Sequence, residues 1–287
     1  MQFWVIQTLN SLALGGLLFM LSSGFALIFG LMRIANLTHG AMFMIGAYIG
    51  AQVLQAGYGL FVAAIVAMLS VAVLGGLIER FILRALTGNS QGQVLATLGL
   101  SFIAADACLM IWGGDPIPIA APVMFQSPLT LFGFTFPTYR LVVLGISFIM
   151  GLALYLLMER TRLGAMIRAG VDDMQMARAV GIPASLLFTI VFSLGALLAG
   201  LGGTVGGPML NAYPGLDADM LPLALIVVIL GGVGSLIGTF IASFIIGFVY
   251  TFGIALVPDL AYVILFLPMV LVIAFRPSGL FGTVKTS

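Results

Sequence analysis

The chain has 287 residues, of which 62% are hydrophobic and 7% charged, with a formal net charge of +1. Ordinary soluble domains carry about 25% charged residues, so there is too little polar sequence here to coat a water-soluble fold. A net charge this small gives no footprint for nucleic acid. Lipid does not penalise apolar surface, so the composition predicts an all-α, polytopic membrane protein forming one transmembrane domain over residues 1–287.

Apolar runs lie at about 8–32, 38–57, 60–79, 94–112, 140–158, 185–207, 222–237, 239–257 and 259–275. A bilayer core takes about 20 helical residues, so eight or nine spans are expected. The runs 222–237 and 259–275 are short, as tilted, broken or partly inserted helices would be. The first 32 residues hold no Lys or Arg, so no cleavable leader with a basic start is expected.

The first polar interruption is "GLMRIANLTHGAMFMIGAY" (30–48), with Arg33, Asn36, Thr38 and His39 within seven residues. Polar groups beside a span are costly unless they face water, protein or a substrate path. A helix break lining a pathway explains them; so does an ordinary turn whose histidine caps the next helix. Further on, Asp106 stands alone in "LSFIAADACLMIW". A carboxylate inside a span is a functional candidate, although Trp112 and Asp115 place the membrane interface only about two helical turns away. Cys108, the single cysteine, reads as a small buried hydrophobe.

Charge then gathers in "RTRLGAMIRAGVDDMQMARAVGIP" (160–183), with four of the ten basic residues. With Arg80 and Arg84 in one loop and Arg276 and Lys285 in the tail, the positive-inside rule puts three basic segments in the cytoplasm. Nine spans would leave the N-terminus outside, and eight would leave it inside. Arg140 falls at the outer end of its run and is expected to snorkel. Within the charged loop (about 159–184) Asp172 reads as an N-cap with Gln175 three residues on, and Gly181 with Pro183 as the stop. Asp173, Met176, Ala177 and Val180 share one predicted face. A helix this short needs something to hold it. Exposed methionines suit a protein partner better than an interfacial helix, whose anionic lipid would repel the two aspartates. Beyond it, Gly231, Gly232, Gly234 and Gly238 read as close helix packing or a hinge.

The one lysine, Lys285, follows Thr283-Val284, so the Gly-Lys-Ser/Thr of a nucleotide-binding loop is not present. One histidine excludes an HExxH metal centre. No catalytic residue, metal or resident cofactor is expected, and an enzyme is the least favoured class.

The charged loop resembles the coupling segment of ABC-importer permeases. With "MRIANLTHGAMFMIGAY", "LATLGLSFI…IWGGDP" and "VVILGGVGSLIGTFIASF", it is similar in order, over about residues 12–280, to the permease family of high-affinity branched-chain amino acid importers. The resemblance implies a bacterial inner-membrane, multi-pass subunit in lipid. Its partners would be a second, related permease, two ATPase subunits that bind ATP and Mg, and a periplasmic substrate-binding protein. It implies an ATPase-coupling role for Gly164, Asp172, Asp173, Ala177 and Gly181, and a substrate-pathway role for Asn36, Thr38, His39 and Gly40; Asp106 is a further pathway candidate on its place inside a span alone. Leu37-Thr38 replaces the family's usual Phe-Ala, which bears on the substrate, since relatives also move urea, short amides and aromatic acids. A stand-alone secondary transporter or channel is the alternative. It would need ion- or proton-linked groups in the membrane, and Asp106 and His39 are the residues that qualify.

Overall fold

The structure, a computed structural model, describes residues 2–131, 134–276 and 278–282. Its helices are α1 Gln2–Met32, α2 Thr38–Gln55, α3 Leu60–Ile78, α4 Ser90–Trp112, α5 Thr138–Arg160, α6 Arg162–Asp172, α7 Met174–Ala179, α8 Ala184–Leu210, α9 Leu216–Gly231, α10 Leu236–Leu256 and α11 Ala261–Phe275. Among the described residues, six helices are long and apolar enough to cross a membrane: α1, α3 with its extension to Leu86, α4, α5, α8 and α10. The runs at 38–57, 222–237 and 259–275 become the shorter α2, α9 and α11, of 18, 16 and 15 residues. The departure from an all-α chain is small. Strands β1 Leu129–Leu131 and β2 Phe134–Phe136 form an antiparallel hairpin, and Ile117 makes an isolated bridge with Ala212.

Burial sorts the helices. In α1, 83% of the most apolar window is buried inside the protein; in α4 the figure is 17%. So α1 is the core, with α10, α8 and α5 against it and α2 packed on α8, while α4 lies at the rim. Glycine makes the core approaches possible: a Cβ on Gly46 would sit 2.6 Å from Gly200 Cα. Small residues serve this purpose in membrane helices, where backbone contact replaces the hydrophobic drive available in water.

The helix ends collect into two groups. At one end Gly30 meets Gly234, Leu31 meets Gly170, and Arg84 donates to the Ser185 carbonyl at 2.9 Å. This end holds every described arginine loop. At the other end Ile117 pairs with Ala212, the Trp112 indole donates to Gln52 at 2.8 Å, and Arg140 donates to the Asn10 side chain. Arg140 therefore has a hydrogen-bond partner inside the protein instead of snorkelling. Lys285 lies outside the described residues.

At the arginine-bearing end, α3 continues through a π-helical turn, Glu79–Leu83. Such turns leave a carbonyl without its usual partner, and Gln93 Nε2 donates to the Leu83 carbonyl at 3.0 Å. The turn buries Glu79 completely (1% exposed). Its carboxylate accepts from Arg84 at 3.0 Å and from the Thr189 hydroxyl at 2.5 Å, tying α3 to the start of α8.

Candidate functional site

Two polar regions stand out in this apolar bundle. The first begins where α1 ends. Arg33 adopts φ +56°, which breaks the helix, and the chain then runs without regular helix until Thr38 starts α2. Along this stretch Asn36, Thr38 and His39 are buried. Asn36 Oδ1 accepts from the Thr38 amide at 3.2 Å and from its hydroxyl at 2.5 Å. His39 Nε2 donates to the Leu21 carbonyl at 2.8 Å, and its ring meets the Phe25 ring edge-on at 5.4 Å. Leu21 lies eleven residues before Met32, the last of α1, hence about 16 Å along the helix. The polar segment therefore climbs from the arginine-bearing end to mid-bundle, and α2 starts at that depth.

The start of α9 meets it there. A Cβ on Gly40 would lie 2.6 Å from the Asp217 carbonyl and 3.0 Å from Leu221 Cβ. From α4, Ser101 donates to Asp217 Oδ2 at 3.3 Å, and Thr97 Oγ1 accepts the Leu37 amide at 3.2 Å. Two helix N-termini and two side chains of α4 thus converge. Among the described residues, Asn36 Nδ2 and His39 Nδ1 are buried with no hydrogen-bond partner. Buried polar groups in native proteins are usually satisfied, so this cluster has capacity for a polar guest.

The second region is α6–α7. Thr161 caps α6, accepting from Gly164 N at 3.1 Å. Gly164 lies so close under α5 that a Cβ would strike the Leu157 and Met158 carbonyls. Arg168 donates to the Met158 carbonyl and lies 3.7 Å from Glu159, which fixes α6 to the end of α5. Gly170 is packed under Leu31 and Leu187, and Arg33 Nη2 reaches the Val171 carbonyl at 3.5 Å. Val171 also touches Gly30 and Gly234. A cleft of about 430 Å³ lined by Arg33, Gly170, Asp173, Met174 and Phe188 opens between this region and the end of α1. The α6–α7 element thus touches segment 33–37, which leads into the mid-bundle cluster, and the α9–α10 turn, at the end of α9 remote from that cluster.

A sequence model of the family described as branched-chain amino acid transport system / permease component matches residues 7–273. The chain belongs to this family. It is 28% identical to the high-affinity branched-chain amino acid transport system permease protein BraD of Pseudomonas aeruginosa, over 96% of this chain and 95% of that one. It is 25% identical to the permease protein LivH of the corresponding system of Escherichia coli K12, over 98% and 96%. A further relative, the autoinducer 2 import system permease protein LsrC of Escherichia coli O9:H4, is 26% identical over 83% of this chain and 69% of that one. Membership of this permease family and six membrane-crossing helices make the chain a multi-pass membrane transport protein.

The structure gathers Asn36, Thr38, His39 and Gly40 at one place, and it puts Asp106 elsewhere, on the outward face of α4. Thr97, Ser101 and Asp217 join the cluster without having been singled out in the sequence. The signal for two of them was there: Gln93, Thr97 and Ser101 recur every four residues, a polar stripe on one helix face. Nothing local marks Asp217.

In α6–α7 the details shift. Asp172 ends α6, and Asp173 is the N-cap of α7, accepting from Gln175 N at 2.8 Å and Met176 N at 3.0 Å. The cap moves by one because α6 runs on through Arg168–Asp172. Gly181 has φ +89° and closes α7, with Ile182 N bonding back to Ala177 O at 3.0 Å. Ala177 is 2% exposed while Met176 and Val180 are 61% and 70% exposed, so the predicted common face divides. Ala177 packs inward, and Met176 with Val180 forms the outer surface. Gly231, Gly232, Gly234 and Gly238 form the turn between α9 and α10: Gly231 and Gly238 touch through their backbones, and Gly232 and Gly234 take φ +101° and +77°.

Proposed function

We propose that this chain is the permease subunit of an ATP-driven importer in a bacterial inner membrane, carrying branched-chain or related amino acids. The observation that carries the proposal is the physical link between the two polar regions. The exposed α6–α7 element touches the segment that enters the buried cluster, through Arg33–Val171, and the far end of α9, whose first turn forms part of that cluster, through Val171–Gly234. A push on α6–α7 is therefore delivered to the starts of α2 and α9, where Asn36, Thr38, His39, Gly40, Thr97, Ser101 and Asp217 would line the pathway.

The chain supplies no nucleotide-binding loop of its own, so ATP and Mg belong to two ATPase subunits docked on Met176 and Val180 at the cytoplasmic end. A second, related permease completes the pathway in the lipid bilayer, and a periplasmic substrate-binding protein meets the opposite end. The names of BraD and LivH favour branched-chain amino acids as cargo.

Uptake of labelled leucine into proteoliposomes tests the proposal. The chain assembled with its partner permease, ATPases and binding protein takes up leucine only when ATP is supplied to the ATPases. Uptake by the purified chain alone, driven by an ion or proton gradient, would make it a secondary transporter and end the importer reading.

A further inference from the structure

Between the pathway cluster and the outer end of the bundle, α4 follows α2 in a fixed register. The Leu37 amide donates to Thr97 at the foot of their seam, and the Trp112 indole donates to Gln52 at its top. In both pairs the partners are 60 positions apart, so the two helices run parallel without slipping. The same register sets Tyr48 opposite Cys108. The Cys108 thiol lies within electrostatic reach of both the Tyr48 hydroxyl and the Asp217 carboxylate. Polar atoms therefore continue outward from Ser101 and Asp217 to Trp112, eleven residues or about 16 Å along α4. Among the described residues the buried Tyr48 hydroxyl has no hydrogen-bond partner, whereas buried tyrosine hydroxyls usually find one.

Two features make this seam one that opens. The first is how lightly α4 is held. Only 17% of its most apolar window is buried, the least of the six membrane-crossing helices, and it packs chiefly on α2 and on the turns after α3. The second is that an aromatic pair closes the top. The Tyr48 ring stacks on the Trp112 ring, with centroids 4.9 Å apart and planes 22° from parallel. Trp112 is part-exposed, while Tyr48 and Cys108 beneath it are 0% and 2% exposed. Parting the two rings would bring water or a polar solute to the Tyr48 hydroxyl, which satisfies it.

We propose that the α2–α4 seam is the outer half of the cargo's path, and that the Tyr48–Trp112 stack is its outer gate, shut in this structure. The proposal rests on the reading of the mid-bundle cluster as a transport pathway given above. The gate opens by a swing of α4 away from α2, which parts the rings and breaks the Trp112–Gln52 bond. Cargo then passes Tyr48 and Cys108 and reaches Ser101 and Asp217.

The chain's single cysteine reports the state of this gate. The whole complex is placed in right-side-out membrane vesicles, a membrane-impermeant sulfonated maleimide is added outside, and label on the purified chain is measured. Cys108→Ser sets the blank. At rest the wild type should label slowly. Trp112→Ala and Tyr48→Ala, with the ATPases still co-purifying, should label faster by about fivefold or more, the scale of one lost aromatic pair. Tyr48→Phe keeps the ring and should stay as protected as the wild type. During ATP-driven leucine uptake the wild type itself should label faster, a measurement that holds even where an alanine variant fails to assemble. Labelling unchanged by turnover, or alanine variants protected as well as the wild type, overturns the gate while the importer reading stands. If the wild-type complex shows no ATP-driven leucine uptake, the pathway reading fails and the gate falls with it.

Discussion

Residues 33–40 and 160–183 are both polar interruptions in an apolar chain, and they meet opposite fates. In the first, Asn36, Thr38 and His39 are wholly buried at mid-bundle. In the second, Arg162, Asp172, Asp173, Gln175 and Arg178 are exposed. The difference is one of length and anchoring. Five residues between α1 and α2 do not form a helix of their own, and the Arg33 and Leu37 amides bond to Phe29 of α1 and Thr97 of α4. The longer segment after α5 has room for two capped helices and satisfies its own backbone. The first is a polar site made by its neighbours; the second is a surface offered outward.

That contrast breaks most sharply at Gly40. Gly40→Leu drives a side chain into the Asp217 carbonyl and should abolish leucine uptake by the complex, whereas replacement of exposed Ala165 by Leu on α6 should leave uptake near wild type. The next effect belongs to the outer surface. Met176→Glu with Val180→Asp should lower permease-stimulated ATP hydrolysis by about tenfold or more, the loss typical of central interface residues. Ala177→Arg is the poorer probe, since Ala177 is buried and its replacement disturbs the fold.

How much of this was readable in the sequence depended on range. The charged loop, its two-turn helix and the Gly181 stop are set by neighbours in the chain, and they stood out. So did the polar character of 33–39. The depth of that segment did not, because it depends on Leu21 accepting from His39 across 18 positions. Asp217 was invisible for the same reason: its partners are Ser101 and Gly40. The inward turn of Ala177 escaped notice because helical periodicity groups residues by face without saying which face is packed. Glu79 carries no local signal of burial, and the π-helical turn that buries it is held by Gln93, Arg84 and Thr189.

Two smaller effects sharpen the link between the regions. Arg33→Met removes the contact to Val171 and should cut the stimulation of hydrolysis by substrate-loaded binding protein by about fivefold, the scale of a 1 kcal/mol coupling. Binding of the ATPases should be unchanged. Asp173→Ala removes the α7 cap, worth about 1 kcal/mol, and should weaken ATPase retention by less than about tenfold, with full insertion in the membrane.

The central claim is that one region docks the ATPases and the other serves the cargo. It is tested most directly by the amount of ATPase recovered with the tagged chain in detergent, compared between Gly40→Leu and Met176→Glu/Val180→Asp at equal expression. The account predicts wild-type recovery with the first and loss with the second. Loss with Gly40→Leu and retention with Met176→Glu/Val180→Asp would contradict it.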